Sequence, residues 1–198
     1  VTIFCGTSNP GKLSEFRLAA QQFGNTRFEV QPLPGLAGIE PPREHADSFE
    51  ENAIQKATYY GVRTTSYLFA DDSGLEVDAL GGAPGIRSAR FAGPDASDEE
   101  NNRLLLDRLS GVENRRAHFV CAVALVKSGK LIATFRGDVE GRIIDRPRGT
   151  NGFGYDPLFW YQPFGCTFGE VGPDRKLEIS HRGRALRAML EALARIIN

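Results

Sequence analysis

Two long strand-like segments, Arg116 to Lys127 and Lys130 to Arg142, flank the dipeptide Ser128-Gly129. A turn this short joins neighbouring strands only in antiparallel fashion. The chain ahead of this hairpin reads differently. Val1 to Gly6 is a short apolar run that ends in a polar loop, and Leu13, Phe16, Leu18, Ala20 and Phe23 then recur at helical spacing up to Gly24. Phe28 to Gln31 reads as a second strand, followed by a Pro- and Gly-rich loop from Pro32 to Pro42. Ser48 with Glu51 has the spacing of a capping box and opens a helix to Gly61, on which Asn52 and Lys56 share one face. A chain that begins with parallel-type β-α-β units and later makes a hairpin is committed to a mixed sheet. The expected fold class is α/β, with helices layered on that sheet.

Tyr67 to Ala70 reads as a buried strand with Asp71, Asp72, Ser73 and Gly74 at its carboxyl end. Ser97 with Glu100 repeats the capping box before a leucine-rich helix that stops at Gly111. After the hairpin, a Gly-rich loop from Gly149 to Tyr155 leads to a short strand at Leu158 to Tyr161. Another loop then precedes a final helix from about Gly183 to Ile197. With 198 residues the chain is long enough for one domain, 1–198, with room for two lobes.

Charge and composition exclude several classes. The 41% hydrophobic and 25% charged residues are ordinary globular values. Lys and Arg total 24 against 25 Asp and Glu, so no cationic field exists to hold a nucleic acid polymer. The longest apolar stretch, about Ala117 to Val126, is half the roughly 20 residues that a membrane span needs. No basic segment followed by an apolar one opens the sequence, so no signal peptide is expected. Cys5, Cys121 and Cys166 are far apart and lack metal or redox spacing, which favours free thiols and a cytoplasmic location.

Four segments carry the chemistry. Thr7, Ser8 and Asn9 offer polar side chains, Gly11 allows close backbone approach, and Lys12 falls in the first turn of a helix whose amides favour an anion. Gly6 and Gly11-Lys12 have P-loop spacing, but Leu13 stands where such a loop needs a hydroxyl for magnesium. Asp71 and Asp72 are adjacent on a strand, so their side chains point to opposite faces and one alone enters any one cleft. With Glu44 in the preceding loop they offer hard oxygen ligands of the kind magnesium takes together with substrate phosphates. Gly152-Phe153-Gly154-Tyr155-Asp156-Pro157 sets two aromatics and a carboxylate among glycines, a composition that suits stacking on a flat ligand as well as plugging a core. Lys176 and Ser180-His181-Arg182 add donors just before the last helix.

Together these segments resemble the inosine triphosphate pyrophosphatase family. The resemblance rests on Thr7-Ser8-Asn9-Pro10-Gly11-Lys12, Ser48-Phe49-Glu50-Glu51-Asn52-Ala53 with Lys56, Ala70-Asp71-Asp72-Ser73-Gly74-Leu75, Leu80-Gly81-Gly82-Ala83-Pro84-Gly85, Gly152 to Pro157, and Ile179-Ser180-His181-Arg182-Gly183. It implies two lobes around a long mixed sheet flanked by helices, an active cleft between the lobes, and a homodimer. The implied reaction is hydrolysis of a non-canonical purine nucleoside triphosphate to the monophosphate and pyrophosphate, with Mg²⁺ as cofactor. By position, Thr7, Ser8, Asn9, Pro10, Gly11, Lys12 and Lys56 would hold the triphosphate. Glu44 and Asp72 would serve the metal, and Asp72 would accept the proton of the attacking water, with Asp71 as a supporting acid. Ser73 would line the site, while Phe153, Gly154, Tyr155, Asp156, Lys176, His181 and Arg182 would form the base pocket. A pyrophosphatase for modified pyrimidine nucleotides and a non-catalytic nucleotide sensor are the competing readings. The carboxylate cluster argues against the sensor, because binding alone does not call for acids beside phosphates.

Overall fold

The computed structural model describes residues 1–25, 27–43 and 46–197. Seven strands form one sheet in the order β2-β1-β3-β4-β5-β6-β7. Strand β1 (Thr2–Cys5) pairs in parallel with β2 (Glu29–Pro32) and with β3 (Tyr67–Val77). Strands β4 (Arg116–Lys127) and β5 (Lys130–Ile143) are neighbours joined by Ser128 and Gly129, both at positive φ (51° and 74°), as the tight primed hairpin turn requires. Strand β6 (Phe159–Tyr161) runs antiparallel to β5, and β7 (Cys166–Thr167) antiparallel to β6. The expected mixed α/β sheet is therefore present.

The chain divides into two compact units. The first comprises Val1–Asp72, Cys121–Gly137 and His181–Asn198, and the second Ser73–Val120 and Asp138–Ser180. In the first unit, helix α1 (Pro10–Phe23) packs on α5 (His181–Ile196), and the Arg187 guanidinium lies 4.2 Å from the Phe23 ring centroid. The buried faces of β1 and β3 supply Ile3, Leu68 and Phe69 to its core. Phe16 of α1 meets Phe69 edge-on at 4.9 Å, a contact worth about 0.5–1.5 kcal/mol beyond its area. Helix α2 (Phe49–Gly61) starts at the expected place, where Ser48 Oγ accepts the Glu51 N–H, the Ser48 half of the expected capping box.

The second unit has its own apolar core, which includes Leu75, Leu105, Phe119, Leu158, Phe159 and Phe168. Helix α3 (Asp98–Arg108) carries both halves of the expected capping box between Ser97 and Glu100. Among the described residues no helix is long and apolar enough to cross a membrane.

Three expectations need correction. Strand β3 does not end before the aspartates. It continues to Val77, so Asp71 and Asp72 lie mid-strand, where cations and amides from neighbouring helices supply the pairing that a solvated strand end would have made unnecessary. The segment expected as a loop before the last helix contains β7 and a short helix, α4 (Pro173–Ile179), in which Pro173 takes the first helical position, where it is tolerated. The final helix starts at His181, two residues earlier than Gly183, because Gly183 is accommodated inside the first turn.

Candidate active site

The loop from β1 to α1 is organised by its own polar side chains. Asn9 caps the helix, its Oδ1 accepting the Lys12 N–H at 3.0 Å, and Thr7 Oγ1 accepts the Asn9 N–H at 3.2 Å. Pro10 at the first helical position gives up an amide that would have had no partner there. Ser8, Asn9 and Pro10 are exposed, and Gly11 and Lys12 are half-buried. Lys12 is thereby fixed at a helix start whose remaining amides favour an anion.

The adjacent aspartates divide their partners between different helices. Lys12 Nζ lies 2.8 Å from Asp71 Oδ2, and Arg182 Nε of α5 lies 3.8 Å from the same oxygen. Arg182 also donates through Nη1 to Glu15 of α1. Burial alone pushes the Asp71 carboxyl up, but the nearby charges of Lys12, Arg182 and Lys56 outweigh it and hold the group at about 2. Burial disfavours the Arg182 charge too, and Glu15 leads the groups that more than offset this, so the guanidinium stays charged. Asp72 instead accepts from Asn52 Nδ2 at 3.0 Å through Oδ2, and from Lys56 Nζ at 3.3 Å through Oδ1. Asn52 and Lys56, one turn apart on α2, thus grip the two oxygens of one carboxylate. Asn52 Oδ1 in turn accepts the Ala46 N–H. Glu44 lies outside the described residues. Ser73 follows on β3, half-buried, at the start of the second unit.

In the second unit the Gly-rich loop is folded around Asp156. Asp156 Oδ2 accepts the Phe153 N–H at 2.9 Å and the Lys176 ammonium at 2.6 Å. Both side chains of this ion pair are almost fully buried. A Cβ on Gly152 would stand 2.0 Å from the same oxygen, and Gly152 has φ of +73°, so this position admits only glycine. Lys176 Nζ also lies 5.3 Å from the Phe153 ring centroid, which leaves Phe153 half-buried beside a cation. Tyr155 is different in kind. Its ring belongs to the apolar core, and its hydroxyl donates to the Ser88 carbonyl at 2.7 Å.

The structure therefore brings Lys12, Asp71 and Arg182 together, joins Lys56 to Asp72, and sets Phe153, Asp156 and Lys176 in one cluster. His181 is buried at the start of α5, in the first unit with Arg182. Sequence reasoning missed Asn52 and Glu15 as members of the site. The i, i+4 spacing of Asn52 and Lys56 was a signal for the first; nothing in the sequence pairs Glu15 with a residue as distant as Arg182.

The sequence matches the family model of the Ham1 family over residues 3–192. It is 47% identical to a protein from Acidobacterium capsulatum named dITP/XTP pyrophosphatase, over 98% of both chains. A protein of the same name from Thermus thermophilus is 43% identical over 96% of this chain and 90% of its own. Among solved structures, a HAM1 protein from Coxiella burnetii superposes with a TM-score of 0.86 at 34% identity, covering 98% of this chain and 99% of that one.

Proposed function

The chain belongs to the Ham1 family, and from that premise we propose that it hydrolyses non-canonical purine nucleoside triphosphates, of the ITP, dITP and XTP class, to the monophosphate and pyrophosphate. The observation that carries the reading is the division of labour at Asp71 and Asp72. Asp71 is neutralised by Lys12 and Arg182, while Asp72 is oriented at both oxygens by Asn52 and Lys56. A carboxylate fixed at both oxygens in this way is suited to accept a proton from a water directed at phosphorus.

The phosphate end of the substrate belongs to the first unit. Thr7, Ser8, Asn9, Pro10 and Gly11 offer the loop, and Lys12 and Lys56 offset charge that develops on the departing pyrophosphate. Asp72 takes the proton of the attacking water. The donor set at Asp72 suits magnesium: it is a hard carboxylate, and that ion is commonly held by one or two carboxylates plus substrate phosphates. Asp72 and Glu44 would hold it. Among the described residues no group of three or more His, Cys, Asp or Glu is placed to hold a metal ion, and magnesium held through substrate phosphates requires none. When bound, the ion would supply charge neutralisation on the phosphates.

The base end is read on Phe153, Gly154, Asp156 and Lys176, which cluster within the second unit. For Tyr155 the contact is limited to its backbone, because ring and hydroxyl are committed to the core. A 6-oxo purine presents an acceptor oxygen beside an N1 donor, and adenine presents the reverse. A pocket that pairs with one leaves polar groups unpaired with the other, a difference worth roughly 10⁴–10⁵ in comparable sites. Family membership also supports a homodimer, and the free cysteines support a reducing, cytoplasmic setting.

The test is incubation of the chain and magnesium with inosine, xanthosine, adenosine and pyrimidine triphosphates, with separate assays for pyrophosphate and orthophosphate. Pyrophosphate and a monophosphate from the 6-oxo purines are expected. Orthophosphate with a diphosphate, preference for pyrimidines, or no product from any nucleotide would overturn the reading.

A further inference from the structure

Helix α3 holds the Gly-rich loop by a contact that the proposed chemistry does not use. Asp98 and Asn102 stand four residues apart, on one face of the helix. Asp98 Oδ2 accepts the Gly154 N–H at 2.7 Å, and Asn102 Nδ2 donates to the Gly154 carbonyl at 3.0 Å. Both backbone groups of one loop residue are thus bound by one helix face. The preceding amide, that of Phe153, is bound by Asp156. The Phe153 carbonyl accepts the Asp156 N–H at 3.3 Å, so four consecutive backbone groups around the Phe153 side chain are hydrogen-bonded.

The same helix holds a second segment. Asn101 Oδ1 accepts the Ala92 N–H at 2.8 Å, and its Nδ2 donates to the Ala89 carbonyl at 3.1 Å. Ser88, one residue earlier, receives the Tyr155 hydroxyl. The loop is therefore anchored to α3 directly at Gly154 and, through Tyr155, to a segment that α3 also holds. Asn102 Oδ1 is enclosed and makes no hydrogen bond among the described residues. An apolar side chain would avoid that cost but could not donate to Gly154.

We infer that Asp98 and Asn102 are positioning residues for base recognition, acting through Gly154 to preset the face that Phe153 offers to a purine. The inference rests on the place of Phe153 at the base end proposed above. A ring whose backbone is fixed before the ligand arrives loses less freedom on binding, so the clamp acts on affinity for the base and leaves handling of the phosphates unchanged.

The test compares Asp98→Ala, Asn102→Ala and Asn102→Asp with the unaltered chain on inosine triphosphate, using inorganic tripolyphosphate as a competitive inhibitor that lacks a base. KM for inosine triphosphate should rise about tenfold, with kcat within about twofold, in each variant. The tripolyphosphate inhibition constant should not move. Asp98→Asn, which keeps an acceptor oxygen at the same place, should recover most of the loss. Amide exchange at Gly154 should quicken in Asn102→Asp, which keeps the side-chain volume and covers the case in which an alanine variant fails to fold. Unchanged KM in folded variants overturns the inference alone, as does an equal shift in the tripolyphosphate constant. Absence of pyrophosphate release by the unaltered chain overturns the functional reading, and the inference with it.

Discussion

Lys12 Nζ and Asp71 Oδ2 form a 2.8 Å ion pair in which the strand carboxylate is buried while the ammonium keeps some exposure. The next carboxylate along β3, that of Asp72, is bound by α2 instead. Strand alternation thus turns two adjacent acids of identical chemistry toward different partners, Asp71 toward Lys12 of α1 and Asp72 toward Asn52 and Lys56 of α2.

Asp72→Asn keeps the volume and the acceptor for Asn52 but removes the proposed proton acceptor. Turnover of inosine triphosphate should fall by about 10²–10⁴, the usual worth of general base catalysis. The thermal midpoint should stay within a few degrees, read by circular dichroism. Near-normal turnover would remove Asp72 from this role.

The Asp71 carboxyl is held at about 2, below its ordinary 3.8, by the charges that outweigh its burial. Its folded value lies below its unfolded one, so its contribution to stability is complete above about pH 4 and is lost as pH falls through about 2. Urea unfolding followed from pH 5 to pH 2 should show this decline. Asp71→Asn should start from a lower stability and lack that part of the pH dependence.

Lys176 and Asp156 are both almost fully buried and 2.6 Å apart. Removing one partner leaves the other charge enclosed without its counter-ion. Lys176→Met should cost about 3–5 kcal/mol in equilibrium urea unfolding. The double substitution with Asp156→Asn should cost less than Lys176→Met alone, since the stranded charge is then gone.

Burial pushes the thiols of Cys5 and Cys121 up to about 12, whereas Cys166 is half-exposed. A thiolate-directed reagent at about pH 8 should modify Cys166 alone in the folded chain and all three cysteines after unfolding. Rapid reaction of three thiols in the native state would contradict the packing around β1 and β4.

Local signals announced much of this structure. The Ser97-Glu100 capping box and the Ser128-Gly129 turn are decided within a few residues, and each appears as expected. The length of β3 was not legible, because a polar Asp-Asp-Ser-Gly run ends a strand unless distant cations pair with the acids. Lys12 and Lys56 come from α1 and α2, and Arg182 from the far end of the chain. Tyr155 illustrates the same limit. Its flanking glycines fit a ligand loop and a core plug equally well, and the choice is made by Ser88, from another part of the second unit.

The most direct measurement is the fate of solvent oxygen. Inosine triphosphate hydrolysed in heavy-oxygen water should yield inosine monophosphate that carries the label, with unlabelled pyrophosphate, if a water oriented by Asp72 attacks the α-phosphorus as proposed. Label in the pyrophosphate, or release of orthophosphate in its place, would contradict the account.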